Sequence, residues 1–425
     1  MPSVRLRFAM VTLGSAGDLH PYLAIGRTLA ERGHEVHLLS QAPYEQAARA
    51  AGLQFTAVVD EAAHNKTLNH PRLWQPIAGF GVLWRHLCVP AIGPTIDALR
   101  ALANGSAEPL RVLASPLAVG ARLAQDILPL RLWTGYTAPS ALRNVEDPMF
   151  IGTWQVPKLV PAPVRQWLWK GVDRWKLEPM ARPVLTRWQQ TLGAKRLPGS
   201  IFGDWVHSPG GGLALYDASF ARVPERWARR GVINSGFPLF EADDQALPVA
   251  LSEFLDAGPK PVVIFGGSAG STDHLGMLAL QAAEQLGYRA VLIRSEQAGQ
   301  RDEASNSKSS KVHITGPVSL MHLLPRAAVW IHHGGIGSCA QGLASSTPQL
   351  VLASAYDQHD NGQRLALINA GAWLDSQGLD IPMITKTLAQ VLNQKYLGKS
   401  NNPARSLPGR PNLASQFSAD HLSRE

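Results

Sequence analysis

Cysteine is nearly absent from the chain. Cys88 and Cys339 are the only two, too few and too far apart for a disulfide framework or a thiolate zinc site. That usage fits a reducing, cytoplasmic compartment. Long apolar runs are missing too: stretches such as IAGFGVLW and LVLASA fall well short of the ~20 residues that cross a bilayer as a helix. No membrane-spanning helix is expected. Charged residues make up only 17% of the chain, scattered rather than blocked, and no nucleic-acid-binding signature accompanies them. The opening MPSVRLRFAMVTLGS has basic residues before an apolar run but no small-residue cleavage site after it. The run ends instead in a Gly-rich turn, which suits a first buried strand.

What is present is enough apolar material for two cores. The 425 residues, 45% of them hydrophobic, exceed the roughly 250 to 300 at which a single core stops growing. The net charge of +8 attracts anions of any kind, such as nucleotides or an anionic membrane face, without choosing among them.

The first half alternates short apolar runs with helical patterns: FAMVTLGS, HPYLAIGRTLAERG, HEVHLLS, APYEQAARAAG, LQFTAVV. This is the βαβαβ rhythm of a doubly wound parallel sheet. It breaks near 145–210 into a Trp- and Pro-rich stretch that reads as a helical insert. After the acidic linker EADDQALP the rhythm restarts with PVVIFGGSAG, RAVLIRS, KVHITG and AAVWIHHGG. The expected class is α/β, with Rossmann-like domains over 1–235 and 236–395 facing across a cleft, and a polar tail over 396–425 whose last part reads either as a helix or as disordered. Ligands of such sheets bind beyond the carboxyl ends of the strands.

The loop LGSAGDLHP follows the first strand. Gly14, Ser15 and Gly17 permit a tight turn before a helix whose first amides are free; a plain βα turn is the competing reading. The spacing is not GxGxxG, and the second strand ends in Ser40 and Gln41 rather than an acidic ribose ligand, which disfavours NAD. Within the loop, Asp18 and His20 are the candidate bases for taking a hydroxyl proton. His20 directly precedes Pro21, at an expected helix start.

The most informative stretch is IHHGGIGSCAQGLASSTPQLVLASAYDQHDNGQR, residues 331–364. A strand ending in His332 and His333 leads through two glycines into a helix whose N-terminal amides, with Ser338 and His333, can cradle a diphosphate. Asp357, Gln358 and Asn361 form a polar cluster suited to sugar hydroxyls. FGGSAGST at 265–272 is a weaker phosphate-loop pattern, with Gly267 and Ser268 as candidates. In GPVSLMHLLPRAAV, backbone near Pro317 and Val318 can read the edge of a base, while Leu320, Leu323 and Leu324 read as core.

HGGxGS followed by DQxxN resembles the donor-binding signature of family 1 glycosyltransferases, and LGSAGDLHP resembles their acceptor-side loop. The resemblance implies the GT-B fold, an N-terminal acceptor domain, a C-terminal nucleotide-sugar domain, no metal or cofactor, and an inverting single displacement. It puts the diphosphate on His333, Gly335, Gly337 and Ser338 with help from Ser268, the sugar on Asp357 and Gln358, Asn361 near the phosphate end, and the base at Val318. Where many members carry a catalytic His in GHxxP, this chain has GDLHP, so Asp18 occupies that place, as in sterol glycosyltransferase-like members. The strand expected to supply a second acid reads RVLASPLA, without one.

Within the family, HPRLWQP, FGVLW, WVHSP and GFPLF look most like the rhamnosyltransferase catalytic subunits of bacterial rhamnolipid synthesis. That subgroup implies dTDP-rhamnose as donor and a hydroxy fatty acid ester as apolar acceptor; related glucosyltransferases imply UDP-glucose. Trp154, Trp167, Trp169, Trp175 and Trp188 alternate with Lys and Arg. They read either as helix packing or as peripheral contact with the inner membrane face. The competing functions are a non-catalytic sugar-nucleotide-binding subunit and a Rossmann oxidoreductase.

Overall fold

Parallel strands buried on both faces carry near-continuous apolar sequence, and the runs of both halves assemble in that way. The computed structural model describes residues 5–75, 78–104, 108–146, 148–197, 199–240, 246–265, 273–294, 311–393 and 412–424. The chain divides into two units, Met1–Ala242 with Pro411–Glu425, and Asp243–Arg410.

In unit 1 the strands are β1 (Arg7–Val11), β2 (Glu35–Gln41), β3 (Gln54–Val59), β4 (Leu110–Ala114), β5 (Leu130–Tyr136), the short pair β6 (Phe150–Ile151) and β7 (Trp154–Gln155), β8 (Gly212–Ala214) and β9 (Val232–Asn234). Seven of them form a parallel sheet in the order β3-β2-β1-β4-β5-β8-β9, and β6 with β7 makes a separate antiparallel hairpin. Alternate residues fill opposite faces: Ala9, Val11, Val112 and Leu132 enter one core, Phe8, Met10, Leu113 and Trp133 the other. Strand order reverses between β1 and β4, so the loop leaving β1 opens at the sheet's switch point.

Unit 2 repeats the plan with β10 (Val262–Phe265), β11 (Ala290–Ile293), β12 (Val312–Thr315), β13 (Val329–His332), β14 (Gln349–Ala353) and β15 (Gly371–Asp375). The order β12-β11-β10-β13-β14-β15 puts its reversal between β10 and β13. Val262, Ile264, Val329 and Ile331 point to one core, and Val263, Val291 and Trp330 to the other.

One placement goes beyond the sequence reading and one differs from it. The end of the stretch set apart as a polar tail is a helix, Asn412–Arg424, that belongs to unit 1. Ala419 and Leu422 join the core beneath the first helix, Arg32 pairs with Asp420 at 2.7 Å, and Arg111 donates to the carbonyl of Leu422. A few apolar residues among many polar ones hold it there: burying Leu422 contributes about 1.5–3 kcal/mol and the Ala419 methyl about 0.8 kcal/mol. The first helix also starts earlier than Pro21: it runs Ala16–Glu31 with Ser15 as its N-cap and Pro21 inside it. Asp18 in the first turn is favoured by the free amides there.

The insert comprises the β6–β7 hairpin and the helices Ala162–Val172 and Glu178–Leu192, joined by a wide turn at Asp173–Leu177. Its tryptophans divide between two environments. Trp169 donates to the carbonyl of Asn144 at 3.0 Å and Trp188 packs against the first core. Trp154, Trp167 and Trp175 are 51%, 69% and 72% exposed. Among the described residues no helix is long and apolar enough to cross a membrane.

Candidate functional site

The loop after β1 is braced from behind. Gly14 has φ 140°, and a Cβ there would lie 2.4 Å from Oδ2 of Asp18, so only glycine fits. Its carbonyl accepts from Nε2 of Gln41 at 2.5 Å and from the Tyr44 hydroxyl at 3.1 Å. The Ser40 hydroxyl donates to the carbonyl of Thr12 at 2.8 Å. The residues standing where a dinucleotide fold carries its acidic ribose ligand therefore hold the loop. Gly17 is less constrained: a side chain there would meet only the Ser15 hydroxyl, at 3.6 Å.

Both oxygens of Asp18 are engaged. Oδ2 accepts from the Ser15 amide at 2.9 Å and its hydroxyl at 3.0 Å, and Oδ1 accepts from the Thr137 hydroxyl at 3.2 Å. Burial raises the carboxyl pKa, opposed by the hydrogen bonds from Ser15 and Thr137. The Ser15 contacts also serve as an N-terminal cap, so Asp18 has a structural role alongside any chemical one. His20 is exposed, with its ring 5.8 Å from that of Phe240. Two helical positions from Asp18, it faces a different direction.

In unit 2 the HGG and DQxxN segments meet. Helix Ile336–Ala344 begins after Gly335, and Asp357 opens helix Gln358–Leu367. Asn361 joins them: its Nδ2 donates to the carbonyl of Gly334 at 2.9 Å and to Oδ2 of Asp357 at 2.7 Å. Gly334 has φ 90°, and a Cβ there would lie 2.5 Å from Val351. A Cβ on Gly335 would sit 2.6 Å from Nε2 of His333, so the imidazole lies directly over that glycine. Gly337 and Ser338 are partly buried in the first turn of the helix.

The two histidines have different tasks. His332 is fully committed: Nε2 meets Oε1 of Gln349 at 2.9 Å and Nδ1 accepts from the Gly334 amide at 3.1 Å. Nδ1 of His333 is buried with no hydrogen-bond partner among the described residues, as is Oδ1 of Asn361. Buried polar atoms left open beside a helix N-terminus suit an oxygen-rich ligand. Burial pulls His333 down to about 4, so near neutral pH it is an uncharged ring rather than a cation.

Other sequence candidates fall less simply. Gln358 spends Oε1 on the amides of Ser354 and Ala355, at 2.7 and 3.0 Å, so this oxygen already serves the backbone of the turn before its own helix. Val318 is partly buried and packs on the core that contains Leu323 and Leu324. Ser268 and Gly267 lie outside the described residues. Sequence reading passed over Gln349, which anchors His332, and Thr137, which lies 119 positions from Asp18. No sequence signal tied either to its partner. Among the described residues no cluster of three or more His, Cys, Asp or Glu can hold a metal.

The glycosyltransferase family 28 N-terminal domain profile matches residues 8–88, and the erythromycin biosynthesis protein CIII-like C-terminal domain profile matches 288–408. The chain is 22% identical to the vancomycin aglycone glucosyltransferase of Amycolatopsis orientalis over 99% of itself and 98% of that protein. It is 26% identical to a terpene cyclase-glycosyl transferase fusion protein of Humicola fuscoatra, covering 92% of itself but 30% of that protein. Among solved structures it resembles the glycotransferase of kitacinnamycin, with a TM-score of 0.70 at 19% identity over 99% of both chains. It also resembles the spinosyn rhamnosyltransferase SpnG complexed with thymidine diphosphate, with a TM-score of 0.59 at 19% identity over 98% of this chain and 95% of that one. With two doubly wound parallel sheets, the glycosyltransferase family 28 profile matched in unit 1 and the CIII-like C-terminal profile matched in unit 2, the chain is a glycosyltransferase of the GT-B type.

Proposed function

We propose that this glycosyltransferase moves a hexose, rhamnose or glucose, from dTDP-rhamnose or UDP-glucose to the hydroxyl of an apolar, lipid-like acceptor, by inversion and without metal. The observation that carries the reading is the Asp18 carboxylate, fixed through both oxygens at the switch point of the first sheet. As the acceptor oxygen attacks the anomeric carbon, Asp18 takes its proton, the bond to the diphosphate breaks, and the nucleoside diphosphate leaves. A carboxyl with a raised pKa is the better base for this step. The start of helix Ile336–Ala344, with His333, Gly335, Gly337 and Ser338, receives the diphosphate. Asp357 and Gln358 hold sugar hydroxyls, Asn361 sits at the phosphate end, Ser268 assists there, and the backbone at Val318 meets the base. His20 is the second candidate base. A non-catalytic binding subunit would need neither Asp18 nor an acceptor.

The rhamnolipid-type strings favour a hydroxy fatty acid ester as acceptor. Peripheral contact with the inner membrane face belongs to the same reading: Trp167 and Trp175 are exposed beside Lys170, Arg174 and Lys176, a composition that suits the headgroup layer. Turnover of dTDP-rhamnose and UDP-glucose, side by side with a hydroxy fatty acid ester, tests the donor and acceptor. Asp18→Asn should abolish transfer and leave donor binding intact, while His20→Ala should not abolish it. In the active enzyme, kcat/KM should fall as pH drops through the raised Asp18 pKa, because the base is then protonated. Survival of transfer in Asp18→Asn would remove Asp18 from the mechanism.

A further inference from the structure

The first helix and the end of β5 are locked together close to Asp18. The Tyr22 hydroxyl donates to the carbonyl of Gly135 at 2.9 Å, and a Cβ on Gly135 would lie 2.4 Å from that hydroxyl, so only glycine allows the contact. Burial pushes Tyr22 well above its ordinary value, so its hydroxyl keeps its proton and remains a donor. One turn of helix before Tyr22 stands Asp18, and two residues beyond Gly135 stands Thr137. The contact between Oγ1 of Thr137 and Oδ1 of Asp18, 3.2 Å, therefore joins two rigid elements.

A carboxylate offers about four lone-pair positions. Ser15 uses two with its amide and hydroxyl, both on Oδ2. Thr137 uses one on Oδ1. Each carboxylate oxygen has two such positions, so the one left open is on Oδ1. We infer that Thr137 is a positioning residue for the base: its hydroxyl fixes the rotation of the Asp18 carboxylate so that the open lone pair of Oδ1 faces the acceptor hydroxyl. The inference rests on the reading of Asp18 as base. The proton from the acceptor lands on Oδ1, and Thr137 donates to that oxygen before transfer. It touches neither donor nor acceptor.

The variant that isolates this role is Thr137→Val, which replaces the hydroxyl by a methyl of similar volume. A hydrogen bond to a charged group is worth roughly a ten- to hundred-fold change, and kcat/KM should fall by about that factor. The acid limb of the pH profile should move to higher pH, because a donor that favours the ionised carboxylate is gone. Thr137→Ser should restore both rate and profile, and binding of thymidine diphosphate should stay unchanged in either variant. Thermal unfolding of both variants separates a folding defect from a positional one. On an Asp18→Asn background Thr137→Val should add nothing, since the two act as one unit. If Asp18→Asn stays active, the reading of the base fails. If Asp18→Asn is inactive while Thr137→Val keeps its rate and pH profile, Thr137 has no positioning role.

Discussion

Asn361→Ala tests the junction of the two motifs proposed to hold the donor. The side chain is fully buried and ties the HGG loop to the helix that carries Asp357. Truncation removes one hydrogen bond between neutral partners, about 1 kcal/mol, and one to a carboxylate, about 2 kcal/mol. The buried carbonyl of Gly334 also loses its Asn361 donor and keeps only the weak Cys339 thiol at 3.5 Å, which adds part of the roughly 1–3 kcal/mol cost of an unsatisfied buried acceptor. Asp357 is only partly buried and recovers some hydration, so the expected loss for unit 2 is about 2–4 kcal/mol. Urea unfolding of the full chain should show it as a lower midpoint for the transition reported by Trp330 and Trp373 at an unchanged slope. Titration with thymidine diphosphate should show weaker binding, because the glycine turn leading to helix Ile336–Ala344 is no longer held. A loss below about 0.5 kcal/mol with unchanged nucleotide affinity would refute the argument.

Gly335→Ala should displace the His333 ring, since the added methyl would stand 2.6 Å from Nε2; a large loss of nucleotide affinity in calorimetry, with unit 1 unaffected, is expected. Burial holds His207 down at about 3 against 6.5 in the unfolded chain. The unfolded state then binds the extra proton, so the stability this contributes is lost as pH falls from about 6.5 toward 3. Exchanging His207 for Asn should flatten the slope of stability against pH between 7 and 5 by up to one proton, about 1.4 kcal/mol per pH unit; equal slopes would refute neutral burial. Co-sedimentation with anionic vesicles should exceed that with neutral ones by up to about a hundred-fold, from about 1 kcal/mol for each of Lys170, Arg174 and Lys176. Replacing Trp167 and Trp175 by Ser should weaken it on both; unchanged co-sedimentation would count against this surface.

The order of strands and helices in both units could be read from the sequence because parallel strands are short apolar runs and their helices carry a different period, both local properties of the chain. The turn at the start of residues 331–364, proposed above to receive the diphosphate, was equally local: glycines, a histidine and a helix start lie within a few positions of one another. What the sequence could not reveal depends on contacts between distant positions. The pairing of Thr137 with Asp18, the anchoring of His332 by Gln349, and the return of Asn412–Arg424 to unit 1 each join segments that no local period relates. The environments of the tryptophans were decided in the same way, because a composition of Trp, Lys and Arg is shared by packed and exposed helices alike. Only the fold determines which indoles find a core, and it buries part of Trp188 while leaving Trp167 and Trp175 in water.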